Sequence, residues 1–156
     1  MNNQQVKRYI RFFENLDRDS LPLTDSVFAV DARFRDPFND VCGRAAIKQV
    51  FAHMFQTCEA PRFEVVECVG EHPLYYLHWR FTLGAPDARN TIDGVSRVRF
   101  DANDLVSEHS DYWDPAQQVY ERIPLLGPLL RAVRKRLRAP QPTATTPPQT
   151  QSTTQR

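Results

Sequence analysis

The chain has 156 residues, 41% of them hydrophobic and 25% charged, which is typical of one soluble globular domain with a sizeable core. Its formal net charge of +1 hides an asymmetry, because every Asp and Glu lies at or before Glu121. Residues 1–130 hold 14 basic and 19 acidic side chains, about −5, whereas residues 131–156 carry +6. The negative body excludes electrostatic attraction to nucleic acid, and only the C-terminal extension suits an acidic partner.

The cysteine pattern and the absence of long apolar runs exclude further classes. Cys42, Cys58 and Cys68 are odd in number and form no C-x-x-C pair, which indicates neither a disulfide framework nor a zinc site. Residues 1–5 lack the apolar core of a signal peptide, and no apolar run reaches about 18 residues, so a cytoplasmic location is expected. Since no Gly-rich phosphate loop or nucleophile motif is present, no cofactor is predicted. No metal is predicted either, because Asp36, His109 and Asp111, the candidate ligands, show no metal-ligand spacing.

Helical spacing of apolar residues dominates the first part of the chain. It predicts an amphipathic first helix that carries Tyr9, a short second helix that begins after Ser20, and a third helix that begins after Gly43. The apolar residues that define the three helices are Val6, Tyr9, Ile10, Phe13 and Leu16, then Leu23, Val27 and Phe28, then Ala46, Ile47, Val50, Phe51, Met54 and Phe55.

A strand is predicted before the third helix, and its apolar face includes a carboxylate. Ala32, Phe34 and Asp36 share one face, because successive strand side chains point to opposite sides. Pro37 ends the strand, so Asp36 is expected at the edge of whatever this face lines. The alternative is that Asp36 caps the following turn, since Asp-Pro commonly opens turns.

From Arg62 onward the apolar period changes to two. Four strand-like runs, 62–71, 74–83, 91–100 and 105–113, are joined by short connections and predict an antiparallel meander. The inner faces of the second and third runs are assigned to Leu77, Trp79 and Phe81 and to Gly94, Ser96, Val98 and Phe100.

The last of these strands places polar groups on its inner face. If Trp113 points inward, His109 and Asp111 do so too, and buried polar groups are costly unless they are partnered or used. The two residues lie two apart, about 7 Å by strand rise, which predicts a third group or a water between them. They are interpreted either as functional groups or as a structural hydrogen-bonded pair.

The remainder of the chain divides into two segments after a body at 1–114. Residues 115–138 are predicted to form an amphipathic, basic helical extension, in which Leu129, Leu130, Val133 and Leu137 oppose five cationic side chains. The extension is interpreted either as a helix that covers the mouth of the body or as a weak contact with anionic membrane. Residues 139–156 are rich in Pro, Thr, Gln and Ser and are expected to be disordered.

Three helices, one early strand and a four-strand meander are the element order of the nuclear transport factor 2-like, or cystatin-like, α+β fold. There a cone-shaped, curved antiparallel sheet wraps around the N-terminal helices. From about Val6 to Trp113 the chain resembles the ketosteroid isomerase branch and the SnoaL-like polyketide cyclases. The segments that carry the resemblance are Arg8-Tyr9-Ile10, Asp36-Pro37-Phe38, Gly43-Arg44, Arg99-Phe100-Asp101 and Tyr112-Trp113.

The resemblance implies a set of catalytic residues. Asp36 matches the isomerase base, which moves a proton between carbons beside a ketone. Tyr9 matches the oxyanion-hole tyrosine, and Ser96 stands where those isomerases carry a protonated aspartate. His109 and Asp111 match pocket-facing positions, and SnoaL-type cyclases carry a catalytic aspartate on that side of the cone.

These observations together predict a cofactor-independent isomerase, cyclase or dehydratase that acts on a polyketide-, steroid- or lipid-like carbonyl compound. Asp36 would be the base, His109 would move or orient the proton, and Asp111 would be its partner. The alternatives are a non-catalytic carrier of a hydrophobic molecule and a scaffold that forms a homodimer through the outer sheet face. The residues predicted to line the pocket are Phe34, Phe51, Phe55, Leu77, Trp79, Ser96, Val98 and Trp113.

Overall fold

The computed structural model describes residues 3–85, 90–120 and 126–139. The predicted disordered tail, 139–156, therefore lies outside the described residues apart from Ala139. The helices are α1 (Gln4–Glu14), α2 (Thr24–Val27), which follows a 3₁₀ turn at Leu21–Leu23, α3 (Arg44–Thr57), α4 (Pro115–Gln118) and α5 (Leu126–Leu137). The strands are β1 (Phe28–Arg35), β2 (Asp40–Cys42), β3 (Arg62–Glu71), β4 (Leu74–Thr82), β5 (Thr91–Phe100) and β6 (Val106–Tyr112).

All six strands form one curved sheet in the order β2-β1-β6-β5-β4-β3. Strands β3 to β6 pair antiparallel with their neighbours, so the predicted meander and the α+β class are confirmed. Strand β1 joins the meander by pairing parallel to β6, with Phe34 beside His109 in the register. This pairing brings the early strand next to the strand that carries the polar inner residues.

The segment before the third helix differs from the prediction. Phe28 begins β1 instead of ending the second helix, because it pairs with Val106 in the sheet. The second helix is reduced to a 3₁₀ turn and one short helical turn. Strand β2 was not predicted from the sequence. Its three residues pair antiparallel with the end of β1, and the turn 36–39 connects the two strands.

Apolar side chains from α1, α3 and the inner sheet face form a single core. Phe51 of α3 lies among the rings of Phe12, Phe13, Phe28 and Phe34, at centroid distances between 5.4 and 6.4 Å. Such edge-on and tilted contacts are the favoured aromatic geometries. The predicted inner faces of β4 and β5 are confirmed, since Leu77, Trp79, Ser96, Val98 and Phe100 are buried.

Gly94 is required by the ring that lies over it. A Cβ at this position would come within 2.5 Å of two atoms of the outer ring of Trp79, Cζ2 and Cη2. Because overpacking a core costs about 1–3 kcal/mol, Gly94→Ala is expected to lower the free energy of unfolding by that amount in chemical denaturation. In a Trp79→Phe background those atoms are absent, so adding Gly94→Ala should cost much less. An equal cost in both backgrounds would contradict this explanation.

Candidate active site

A continuous chain of hydrogen bonds lies between α1 and the inner face of the sheet. The Tyr9 hydroxyl is hydrogen-bonded to His109 Nδ1, and His109 Nε2 lies 2.7 Å from Asp111 Oδ1. The same Oδ1 accepts a hydrogen bond of 2.5 Å from the Ser96 hydroxyl. The Trp79 indole N–H donates to Ser96 Oγ at 2.7 Å. We call these five residues the polar relay.

The secondary structure explains how the polar relay is assembled. Ser96 on β5 is the direct cross-strand partner of Asp111 on β6. Trp79 on β4 pairs with Gly94, so its side chain reaches Ser96 along the diagonal that long side chains can span. Tyr9 comes from the buried side of α1, 100 residues earlier than His109.

His109 and Asp111 contact each other directly, so the prediction of a third group or water between them is wrong. Their Cα positions are separated by two residues of strand rise, about 7 Å. The imidazole ring extends along the strand, however, and its Nε2 reaches the carboxylate without an intermediary.

The direction of each hydrogen bond follows from the chemistry of the groups. An indole N–H can only donate, so Ser96 accepts from Trp79 and gives its own proton to Asp111. A carboxylate can only accept, so His109 donates to Asp111 from Nε2–H, and in the neutral form of the ring Nδ1 then accepts from the Tyr9 hydroxyl. The hydrogen bonds of the relay are therefore all directed along the chain toward the Asp111 carboxylate. Two described groups, the Ser96 hydroxyl and the His109 Nε2–H, donate to its Oδ1.

The surroundings of the carboxylate are mainly aromatic. The His109 side chain is 3% exposed and the Asp111 side chain 14%. The His109 ring is stacked on Phe34 at a centroid distance of 4.6 Å and on Phe13 at 5.6 Å. In the described part of the chain, Asp111 has no Lys or Arg within ion-pair distance. The carboxylate is thus held by the Ser96 hydroxyl and the His109 imidazole, without a Lys or Arg counter-ion in the described part of the chain.

The pKa of the Tyr9 hydroxyl differs from that of an exposed tyrosine. Burial raises the pKa of this hydroxyl well above its ordinary value, and the charge of Asp111 raises it further. Burial and a nearby like charge both disfavour the phenolate. Tyr9 therefore remains protonated at neutral pH and acts as a hydrogen-bond donor.

This shift predicts a loss of stability in alkali. Above the ordinary tyrosine pKa of about 10, the unfolded chain loses the Tyr9 proton while the folded chain keeps it, so the free energy of unfolding falls as pH rises. In denaturation measured from neutral to alkaline pH, Tyr9→Phe should show a shallower decline than wild type. Burial also raises the pKa of Tyr75, so Tyr75 contributes to the decline in both proteins. The difference between the two slopes therefore isolates the contribution of Tyr9. Identical slopes would contradict the prediction.

The polar relay borders a very small internal cavity. Its volume is about 20 Å³, enough for one water molecule. The cavity is lined by Tyr9, Ile10, Phe13, Phe63, Val65, Leu77, Trp79, Ser96, His109 and Asp111. Ile10, Phe63, Val65 and Asp111 are the half-buried members of this lining, and the other six residues are buried.

Asp36 lies apart from the polar relay. Its Oδ1 accepts hydrogen bonds from the backbone N–H groups of Phe38 and Asn39, both at 2.7 Å. The Asn39 amide also donates to Oδ2 at 2.9 Å. The carboxylate thus closes the turn between β1 and β2, and it is not among the cavity-lining groups. This geometry matches the turn-capping alternative.

The predicted pocket residues separate into three groups. Leu77, Trp79 and Ser96 line the cavity. Phe34, Phe51 and Val98 are buried in the core, where Phe34 contacts the relay through the His109 ring. Phe55 and Trp113 are half-buried and pack at the edge of the core. Among the described residues, no group of three or more His, Cys, Asp or Glu side chains is arranged to hold a metal ion.

The sequence profile of the SnoaL-like domain matches residues 9–109, which is most of the described body. The chain belongs to the SnoaL-like domain family. The match begins at Tyr9 and ends at His109, so the two ends of the first hydrogen bond in the polar relay bound the SnoaL-like region. No curated protein matches the chain significantly.

Solved structures support the same fold. A SnoaL-like family protein from Agrobacterium tumefaciens is 17% identical, with a TM-score of 0.62 over 70% of this chain and 94% of its own. A nuclear transport factor 2-like protein of unknown function from Burkholderia pseudomallei is 20% identical, with a TM-score of 0.62 over 76% and 96%. A hypothetical protein with a ketosteroid isomerase-like fold from Catenulispora acidiphila, solved with trimethylamine, is 14% identical, with a TM-score of 0.60 over 74% and 89%. At these identities the likeness shows the fold alone, and together with the family match it confirms the predicted SnoaL-like branch of the nuclear transport factor 2-like superfamily.

Four residues that line the cavity of this SnoaL-like protein were not predicted from the sequence to do so. Ile10, Phe13, Phe63 and Val65 line it in addition to the predicted residues. Phe63 and Val65 alternate with Arg62 and Glu64 in β3, so the period of two was the available signal. The hydrogen bond between Trp79 and Ser96 had no such signal, because it depends on the strand register.

Proposed function

We propose that this SnoaL-like protein is a cofactor-independent proton-transfer enzyme, an isomerase, cyclase or dehydratase, that acts on a carbonyl compound with an apolar frame. The observation that carries the proposal is the Asp111 carboxylate, which the Ser96 hydroxyl and the His109 imidazole hold against a cavity lined mainly by aromatic and aliphatic side chains. Replacing buried ionic groups by apolar ones is often neutral or stabilising. A carboxylate retained here without a Lys or Arg partner among the described residues is therefore better explained by chemistry than by stability.

Asp111 is the proposed base. Both described donors reach its Oδ1, so Oδ2 is the oxygen suited to a substrate proton. In the reaction, Oδ2 takes a proton from a carbon next to the carbonyl, and the electrons of the broken C–H bond form the enolate. The same oxygen then returns the proton to another carbon of the substrate. Each cycle leaves the enzyme unchanged and requires no cofactor.

His109 and Tyr9 are proposed as positioning residues. The Nε2–H of His109 holds the carboxylate, and the Tyr9 hydroxyl fixes the His109 tautomer by donating to Nδ1. The rings of Phe34 and Phe13 stack on His109 and restrict its rotation. Ser96 supplies the second donor to Asp111. Proton transfer gains from such fixed geometry.

Substrate entry would require movement of lining side chains, because the cavity holds about one water molecule. Ile10, Phe63 and Val65 are the half-buried apolar residues of the lining. Their rearrangement would open the cavity next to the polar relay. The apolar contacts that these side chains lose would then be replaced by apolar contacts with the substrate.

The proposal is tested by hydrogen exchange on carbon. A panel of apolar ketones that includes a β,γ-unsaturated ketosteroid is incubated with the full chain in D₂O, and loss of the protons next to the carbonyl is followed by NMR. We expect at least one ketone to exchange faster than it does with an equal amount of the Asp111→Asn variant. If every ketone exchanges equally with both proteins, the proposed base is excluded.

A scaffold that forms a homodimer is the second candidate, and the nearly filled interior favours it. Its interface would be the outer sheet face, where cross-strand pairs such as His78–Asp93 and Arg97–Glu108 lie at 2.7 and 2.8 Å. Tyr76 on the same face is 45% exposed. A scaffold predicts no enzyme-dependent exchange with any ketone, so the NMR experiment separates the two functions.

A further inference from the structure

Helix α5 presents an apolar stripe that the rest of the described chain leaves largely exposed, although Leu130 beside it is half-buried. Its apolar residues recur at three- and four-residue spacing, which places them on one side of the helix. Leu126, Leu129, Val133 and Leu137 are 37%, 62%, 49% and 80% exposed. The interpretation of this segment as a helix that lays its leucines over the body therefore does not account for their exposure.

The other side of α5 is strongly basic. Arg131, Arg134, Lys135, Arg136 and Arg138 follow one another within eight positions, and the segment 126–139 contains no Asp or Glu. By helical spacing, Arg134 and Arg136 flank the apolar stripe on opposite sides. Long cationic side chains at such positions can extend toward polar headgroups while their methylene groups stay near the apolar surface.

We propose that α5 binds the surface of a membrane that contains anionic lipid. The apolar stripe would enter the boundary between headgroups and acyl chains, and the cations would contact lipid phosphates. No described helix is long and apolar enough to cross a membrane, so α5 would lie on the surface. The net negative charge of residues 1–130 would keep the body turned away from the same lipid.

Charge and apolar area together favour anionic lipid over other occupants. A second copy of α5 would bring two clusters of five cations together without any acid in the helix to offset them. A nucleic acid would satisfy the cations but leave the leucines exposed to water. Only a surface that is both negatively charged and apolar beneath the charge matches both sides of the helix. Twelve residues form a short anchor, so the binding is expected to be reversible.

The experiment is flotation of the full chain with vesicles. Wild type should float with vesicles of phosphatidylcholine mixed with phosphatidylglycerol, should not float with phosphatidylcholine alone, and should be released as salt is raised. Val133→Asp and Ala132→Asp change the charge equally, but only Val133 belongs to the apolar stripe. Ala132→Asp should weaken binding about fivefold, whereas Val133→Asp should abolish flotation. Both positions are exposed, so each substitution should leave the thermal unfolding of the body unchanged. An unchanged unfolding temperature would show that each variant is folded.

Several outcomes would overturn the inference. These are no flotation of wild type, equal flotation with both kinds of vesicle, or equal loss in the two variants. Binding to duplex DNA that matches vesicle binding at the same salt and survives Val133→Asp would assign α5 to nucleic acid. A dimer that only Val133→Asp disrupts, without flotation, would assign the stripe to a second copy. The inference does not depend on the proposed reaction, because no residue of the polar relay lies in α5.

Discussion

Asp111→Asn is expected to reduce the rate of carbon-hydrogen exchange on a responsive ketone by at least about 100-fold, the lower end of what a general base contributes. Asparagine has nearly the same shape, and its carbonyl oxygen can still accept from Ser96 and His109. It cannot take up a substrate proton at neutral pH. The loss should therefore appear in the rate measured by NMR in D₂O, while thermal unfolding shows a folded protein.

Asp36→Asn is the matched control for this substitution. The Asp36 carboxylate accepts hydrogen bonds from the backbone of its own turn and from Asn39, so the change should cost about 1 kcal/mol of stability. It should leave the exchange rate of the folded protein close to that of wild type. The reverse result, with the rate lost in Asp36→Asn and kept in Asp111→Asn, would return the base to the position that the resemblance indicates.

His109→Phe is expected to lower the free energy of unfolding by about 3 kcal/mol in chemical denaturation. The phenyl ring fits between Phe34 and Phe13, which already stack on the imidazole. It removes the N–H that donates to Asp111, however, and so leaves a largely buried carboxylate with one fewer donor. The cost arises from the Asp111 charge and from the buried Tyr9 hydroxyl, which loses its partner on His109, and not from a change in shape.

Adding Asp111→Leu to His109→Phe should recover the part of the lost stability that comes from the poorly paired charge, while exchange activity stays absent. The double variant removes the charge, and the costs that remain are those of the Tyr9 and Ser96 hydroxyls, which lose their acceptors. Recovery would support the view that the polar relay is retained for chemistry. A double variant as unstable as His109→Phe alone, or less stable, would show that the relay is needed for folding and would weaken the catalytic proposal.

Local sequence patterns predicted the inward-facing residues well where the strands are regular. The alternation in β4 and β5 assigned Leu77, Trp79, Ser96 and Val98 to the interior, and all four are buried. In β6 the same rule placed His109 inside, on the evidence of Trp113 alone, and His109 is 3% exposed. The period of two is sufficient for this because it depends only on the extended backbone.

The pattern was insufficient at the end of β1. Alternation puts Asp36 in phase with Ala32 and Phe34, yet the strand ends at Arg35 and the carboxylate that follows it is bound by a turn. Strand β2 consists of only three residues, too few to show a period, so the hairpin that contains this turn was not predicted. The outcome at Asp36 depended on hydrogen bonds to residues that follow the strand.

By itself the sequence determined the element order, the inner faces of the meander and the amphipathic character of α5, because these depend on spacing along one segment. Only the tertiary structure decided that Tyr9, Ser96 and Trp79 converge on His109 and Asp111. That convergence requires the register between β4, β5 and β6 and the packing of α1 across the sheet. Register and helix packing are set by contacts between residues far apart in the chain, and periodicity within a segment carries no information about them.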